Sequence, residues 1–269
     1  MSSAFSTINL AVDTGVMTIT LNRPDAYNAY NEPMSVELST AFKNAARDDG
    51  VRAIVLTGAG KAFCSGQDLQ EIKGRYSPDK AGSSLDFATH LRAKFNPLVN
   101  RIRTLEKPVI AAVNGAAAGA GASFALACDM RVCARSAYFM MAFVHVGLIP
   151  DSAATMTLVQ HCGLGRATEL CFLGEKLMAE EAHKFGLANR VVDDELCLSS
   201  ATEMARRLAA MPTRAIGLTK RALHRAWTAT LDDQLEYEAL LQQTAGNTAD
   251  HREGVLAFVE KRKPKFEGK

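Results

Sequence analysis

Apolar and polar positions alternate over VMTITL, Val16 to Leu21, and a second run, Ile8 to Val12, precedes it across Asp13-Thr14-Gly15, so the chain is expected to open with a β-hairpin. Asn31 and Pro33 then signal a helix start. The apolar positions Met34, Leu38, Phe42 and Ala45 recur every three or four residues, as on one face of an amphipathic helix. Ala53 to Leu56 reads as a short buried strand ending in Thr57-Gly58-Ala59-Gly60, and the loop KAFCSGQD leads to another helix. Gly74 to Ser84 is polar and rich in breakers, the composition of a loop. A helix over about Phe87 to Leu105, a strand over Pro108 to Val113, a glycine turn, a helix and strands near Met130 to Ala134 and Tyr138 to Met141 continue the alternation. This is α/β layering. After Val192 the pattern is helical throughout, with stripes over Ala201 to Ala210, Thr213 to Trp227, Asp232 to Thr244 and Asp250 to Lys261. The shift divides the chain into an α/β core, residues 1–198, and a helical region, 199–269.

Composition narrows the class. A chain of 269 residues that is 48% hydrophobic can bury a sizeable core. The 31 basic and 29 acidic side chains nearly cancel, leaving a formal charge of +2 and no basic stripe for nucleic acid. Six cysteines, Cys64, Cys128, Cys133, Cys162, Cys171 and Cys197, show neither a C-x-x-C pair nor zinc spacing and are expected to pack reduced, which fits a cytoplasmic protein. MSSAFSTINLAV lacks the basic and long apolar regions of a signal peptide. Val109 to Cys128 has the length of a membrane span, but Asn114, its glycines and Ser123 interrupt it. A buried strand, a turn and a helix explain it better.

Two glycine-rich turns carry candidate chemistry. GAAAGAGASFALA follows a β-branched strand and opens a helix, yet Phe124 stands where a dinucleotide fingerprint needs a small residue, and no acid follows about 20 positions on to hold a ribose. The turn still leaves free backbone N–H groups at the positive end of a helix. Cys64-Ser65-Gly66-Gln67-Asp68 offers the same. Two such donors aimed at one carbonyl oxygen would form an oxyanion hole, in which each donor contributes about 3 kcal/mol of barrier lowering. Spacing alone does not show that they converge.

LNRPDAYNAY, AIVLTGAGKAFCSGQDL, KPVIAAVNGAAAGAGASFALACDMRVCARSAYF and VGLIPDSAAT, in this order, resemble the crotonase family, the enoyl-CoA hydratase/isomerases, and the resemblance runs nearly from end to end. Within the family, VGLIPD, FNPLV and the tail DHREGVLAFVEKRKPKF are most similar to isomerases of aromatic ring epoxides held as CoA thioesters. The resemblance implies a spiral of ββα units, a C-terminal helical region that trimerises, and a trimer or dimer of trimers. It places the oxyanion N–H donors on Gln67 and on Ala120, where a glycine is more usual; the donor survives there if φ is negative. It lays CoA along Arg23, Ala26, Asn28 and Ala29 and along Ala62, Cys64, Ser65, Gly66, Asp68 and Leu69, with Lys261 and Arg262 of the tail as candidates for a neighbouring subunit's 3′-phosphate. A solvated helix end explains those tail charges equally well.

Family hydratases hold water between two glutamates, at positions matching Ser123 and Phe143 here. Without them, efficient hydration lacks its two proton-transfer groups. The family's dehalogenases share an aspartate with Asp151, but their histidine and tryptophan match Asn96 and Phe143. With Asn96, Ser123 and Phe143 as acyl-pocket residues, one carboxylate remains. Asp151 would shuttle a proton from one carbon to another through a thioester enolate, its basicity raised by Phe143, Ile149 and Met156. Asp151 also reads as an N-cap for the following Ser-Ala-Ala-Thr, Asp68 chiefly as a cap, and His145 as a rival base or a packed strand histidine. The expectation is an acyl-CoA isomerase, of a ring-epoxide thioester or of the Δ3,Δ2-enoyl-CoA type, without metal or redox cofactor, coenzyme A entering as part of the substrate. The alternatives are an enoyl-CoA hydratase-type enzyme and, from another class, a non-catalytic RNA-binding homologue, which the balanced charge disfavours.

Overall fold

A computed structural model of the chain describes residues 5–73 and 86–269, apart from the side chain of Ile72; the loop expected at 74–84 lies outside them. The hairpin forms as β1 (Ile8–Asp13) and β2 (Val16–Leu21), paired antiparallel with Asp13 opposite Val16. Helix α1 (Glu32–Arg47) starts where Asn31 accepts the Met34 N–H, and its stripe of Met34, Leu38, Phe42 and Ala45 is buried. β3 (Ala53–Gly58) is buried along its whole length, as a strand covered on both faces must be.

From β3 onward the chain coils as ββα turns. Each turn contributes one strand to a six-stranded sheet and a three-residue strand to a four-stranded one. β3 is followed by β4 (Ala62–Cys64) and the helices α2 (Leu69–Lys73), α3 (Phe87–Lys94) and α4 (Asn96–Thr104). β5 (Val109–Val113) is followed by β6 (Ala116–Ala118) and α5 (Ala120–Ala127). β7 (Met130–Ala134), β8 (Tyr138–Met140) and α6 (Ala154–Leu173, kinked at Gly163) make the next turn. β9 (Lys176–Met178), α7 (Ala179–Lys184) and β10 (Arg190–Val192) close the spiral. The large sheet runs β1-β2-β3-β5-β7-β10, parallel after the hairpin; the small one runs β4-β6-β8-β9. Val109 to Cys128 thus resolves into β5, β6 and α5, and no helix among the described residues is long and apolar enough to cross a membrane.

The single helix expected over 87–105 is two helices. They meet at Phe95, because Pro97 lacks the N–H that would continue α3 and is at home in the first turn of α4. The helical region starts with α8 (Cys197–Ala209), whose buried face of Ala201, Met204, Ala205 and Ala209 covers the large sheet. The compositional shift near 198 therefore marks the end of the strands, and the cover of the sheet continues to Ala209. Helices α9 (Thr213–Arg225), α10 (Leu231–Gly246) and α11 (Ala249–Val259) follow, and the tail returns to the core through Arg52, which donates to the Phe266 carbonyl. Four cysteines, Cys64, Cys128, Cys133 and Cys197, are buried, and burial pushes the Cys64 thiol up to about 11 and that of Cys128 to about 12.

Candidate active site

The parallel pairing of β4 with β6 brings the two glycine turns out side by side. Gly66 has φ +98, and a Cβ there would lie 2.9 Å from the Ala118 carbonyl and 3.5 Å from the Ala120 nitrogen. Only glycine fits. Gly121 lets α5 approach the other strand, since a Cβ there would sit 2.1 Å from the Cys64 carbonyl oxygen. Ala120 opens α5 and is not among the positive-φ residues, so its replacement of glycine costs no backbone strain. Its N–H is one of those that a helix start leaves without a carbonyl one turn back. The Gln67 N–H likewise has no backbone acceptor among the described residues, although its neighbours pair: Tyr30 donates to the Gly66 carbonyl at 2.7 Å and Asp68 to the Tyr30 carbonyl at 2.9 Å. The two turns thus lie side by side, with Gly66 packed against the start of α5.

The same bridge stitches the two segments expected to hold CoA. Asn28, fully buried, donates to the carbonyls of Ala59 and Ala62 at 2.9 and 2.8 Å, and Ser65 donates to the Tyr27 carbonyl at 3.0 Å. Arg23 donates to the Ala29 carbonyl and pairs with Asp68 at 2.8 Å. The other Asp68 oxygen accepts the Gln70 N–H at 3.0 Å, in keeping with a capping role. Ser65 and Leu69 are exposed along this seam and Ala26 is half-buried. Asn28, Ala62 and Cys64, however, are buried and shape the loops without presenting side-chain surface of their own, because Asn28 is a latch and the other two face the core from β4. Lys261 is exposed after α11, whereas Arg262 is taken by Glu253 and Glu260.

Asp151 is half-buried in the loop before α6. It does not cap that helix. Ser152 and Ala153 both adopt left-handed backbone, φ 54 and 66, so α6 begins only at Ala154, with no side-chain cap. The Asp151 carbonyl accepts the Ala154 N–H at 2.9 Å and the Ser123 hydroxyl of α5 at 3.1 Å. Its carboxylate accepts the Ser152 hydroxyl at 2.8 Å. Burial raises the Asp151 carboxyl above its ordinary range, while the Ser152 hydrogen bond and the charge of His90 draw it partly back. Of the expected apolar neighbours, Phe143 is buried, but Ile149 and Met156 project outward, at 80% and 44% exposure.

The structure places two further candidates and a histidine that the sequence reading did not name. Asn96 is exposed at the first turn of α4, because Phe95 beside it turns inward, its ring 4.8 Å from Tyr30 and 6.1 Å from Phe124. His145 is no rival base: its Nε2 lies 3.0 Å from the Gly174 carbonyl at the end of α6. The histidine near the carboxylate is His90, on α3, with Nε2 3.0 Å from the Gln67 side-chain nitrogen. Sequence reasoning passed over it since 61 residues separate it from Asp151; its spacing of three after Phe87, beside Leu91, was the available signal.

Known proteins resemble the chain over nearly its whole length. The profile of the enoyl-CoA hydratase/isomerase family matches residues 11–269. The 1,2-epoxyphenylacetyl-CoA isomerase of Escherichia coli K12 is 48% identical over 258 residues, covering 96% of this chain and 97% of its own. A trans-2-decenoyl-[acyl-carrier-protein] isomerase of Streptococcus mutans is 36% identical, over 98% of this chain and 99% of its own. The crystal structure of an enoyl-CoA hydratase from Bacillus anthracis superposes with a TM-score of 0.90 at 33% identity, covering 98% of this chain and all of that one.

Proposed function

The chain belongs to the enoyl-CoA hydratase/isomerase family, and from that membership we propose that it is an acyl-CoA isomerase in which Asp151 alone carries the proton. The thioester carbonyl oxygen accepts from the Gln67 and Ala120 N–H groups, which stabilise the negative charge that grows as the adjacent C–H is ionised. Asp151 takes that proton, an enolate forms, and the resulting carboxylic acid returns the proton to a carbon further along the conjugated system. The double bond moves and no water is consumed. In a ring-epoxide thioester the same proton removal opens the route from epoxide to oxepin. The 1,2-epoxyphenylacetyl-CoA isomerase likeness supports that substrate class.

The observation that carries the reading is what fills the two positions where the family's hydratases have their acids. Ser123 is buried with its hydroxyl engaged by the Asp151 carbonyl, and Phe143 is a buried ring. Neither can activate water. The neighbouring Glu71 is also occupied, since its carboxylate accepts the Glu32 N–H at 3.0 Å. Self-association through the C-terminal helices belongs to the same proposal; Leu231, Phe258 and Val259 stand exposed there, Phe258 at 85%, as side chains awaiting a partner surface do.

The test compares three thioesters: a 3-enoyl-CoA, its conjugated 2-enoyl isomer and the phenylacetyl ring epoxide. Isomerisation of the first or third, followed by ultraviolet absorbance, is expected to exceed hydration of the second by at least about a hundredfold. Hydration as fast as isomerisation would overturn the proposal.

A further inference from the structure

His90 has no part in the shuttle as written, yet three elements bring it into the site. It projects from α3 to Gln67, whose backbone supplies one of the two oxyanion donors, at 3.0 Å between side-chain nitrogens. Its ring also lies 5.5 Å from that of Phe95, which belongs to the aromatic cluster of Tyr30, Phe95 and Phe124. An amide nitrogen donates and cannot accept, so in this arrangement His90 Nε2 accepts, as a neutral ring with its proton on Nδ1 does. Protonating Nε2 would set two donors face to face and force the Gln67 amide to rotate.

Among the described residues, the charged groups that act on the ring include Asp151 from the loop before α6 and Glu71 from α2. Behind Glu71 stands the Arg23–Asp68 pair, and Lys94, paired with Glu32, flanks the ring one turn along α3. A positive His90 draws the Asp151 carboxyl down and so weakens the base. A neutral His90 leaves it strong. Both effects make the neutral ring the useful one.

We propose that His90 is a positioning residue of the isomerase site: its neutral imidazole fixes Gln67, and with it the first oxyanion donor, and leaves Asp151 at full basicity. The proposal rests on the shuttle reading above. In the wild type, kcat/KM then falls on the acid side as the imidazole protonates. His90→Phe, which keeps the ring packing and loses the acceptor, lowers kcat about tenfold at about pH 8 with KM within about twofold. His90→Gln restores an acceptor that cannot ionise, so it recovers part of that loss and removes the imidazole's step from the profile.

Thermal unfolding of each variant accompanies the kinetics, and Asp151→Asn runs beside them. Should His90→Phe fail to fold, the His90→Gln profile decides alone. A His90→Gln profile superimposable on the wild type, or a folded His90→Phe with wild-type kcat, overturns the inference. If either result comes with an inactive Asp151→Asn, only the role of His90 falls; if Asp151→Asn is itself fully active, the shuttle falls first.

Discussion

The two ends of α5 each meet a half-buried aspartate, and the two carboxylates are treated differently. At the C-terminal end, Asp129 accepts the Val109 N–H at 2.8 Å and pairs with the Lys220 ammonium of α9 at 2.8 Å, while Lys220 also donates to the Ile102 carbonyl at 2.7 Å. At the N-terminal end, Ser123 grips the backbone of Asp151, and its carboxylate accepts a hydroxyl and has no ion pair among the described residues. Burial raises both acids above their ordinary range. A directly paired ammonium answers the first, whereas only the charge of His90 and the Ser152 hydroxyl act on the second. The first carboxylate is therefore closed off as a structural tie, whereas the second keeps the unfavourable charge that a base for a weakly acidic C–H needs.

Removing one partner of the tie is expected to have the largest effect on stability. Asp129→Ala strands the buried Lys220 ammonium and should cost about 3–5 kcal/mol in urea unfolding. Activity per folded molecule should persist. A loss under about 1 kcal/mol would mean that the Asp129 end contributes no more than a surface pair. Asp151→Asn is expected to behave in the opposite way. Because the folded chain raises this carboxyl above its unfolded value, the folded state favours the protonated form; that stability is present at low pH and lost as pH rises through the folded pKa. The amide abolishes this loss, so the variant should melt at or above the wild-type temperature at neutral pH. A lower melting temperature would show that the ionised carboxylate is a structural group after all.

Smaller changes sharpen the contrast. Ser152→Ala removes the hydroxyl that donates to the Asp151 carboxylate, so in the His90→Gln background, where the imidazole step is gone, the remaining acid limb of kcat/KM should move to higher pH. An unmoved limb would separate that titration from Asp151. Ala153→Gly relieves a left-handed alanine, worth about 1–2 kcal/mol, at an unfolded-state cost of about 0.5–1 kcal/mol, so a net gain of up to about 1.5 kcal/mol is expected in thermal unfolding. A net loss would mean that the left-handed backbone after Asp151 carries little strain.

Local pattern made some of this legible. The Asn31 cap and the Met34, Leu38, Phe42, Ala45 stripe are local signals, and the structure keeps both. Of the small sheet only β8 was legible, near Tyr138 to Met141; strands of three residues such as β4 and β6 are too short for period-two alternation to register. Asp-Ser-Ala-Ala-Thr has the local grammar of a helix start, but the Ser123 contact and the two left-handed residues override it, which turns a cap into a free carboxylate. The adjacency of Gln67, Ala120 and His90 arises from β4–β6 pairing and from the break at Phe95, neither of which spacing along the chain encodes.

The most direct test of the account is turnover of a 3-enoyl-CoA by Asp151→Asn, with CoA-thioester binding measured on the same preparation. Binding close to wild type with kcat reduced by at least about a hundredfold is the predicted result. Wild-type turnover by a folded, binding-competent Asp151→Asn would contradict single-carboxylate catalysis.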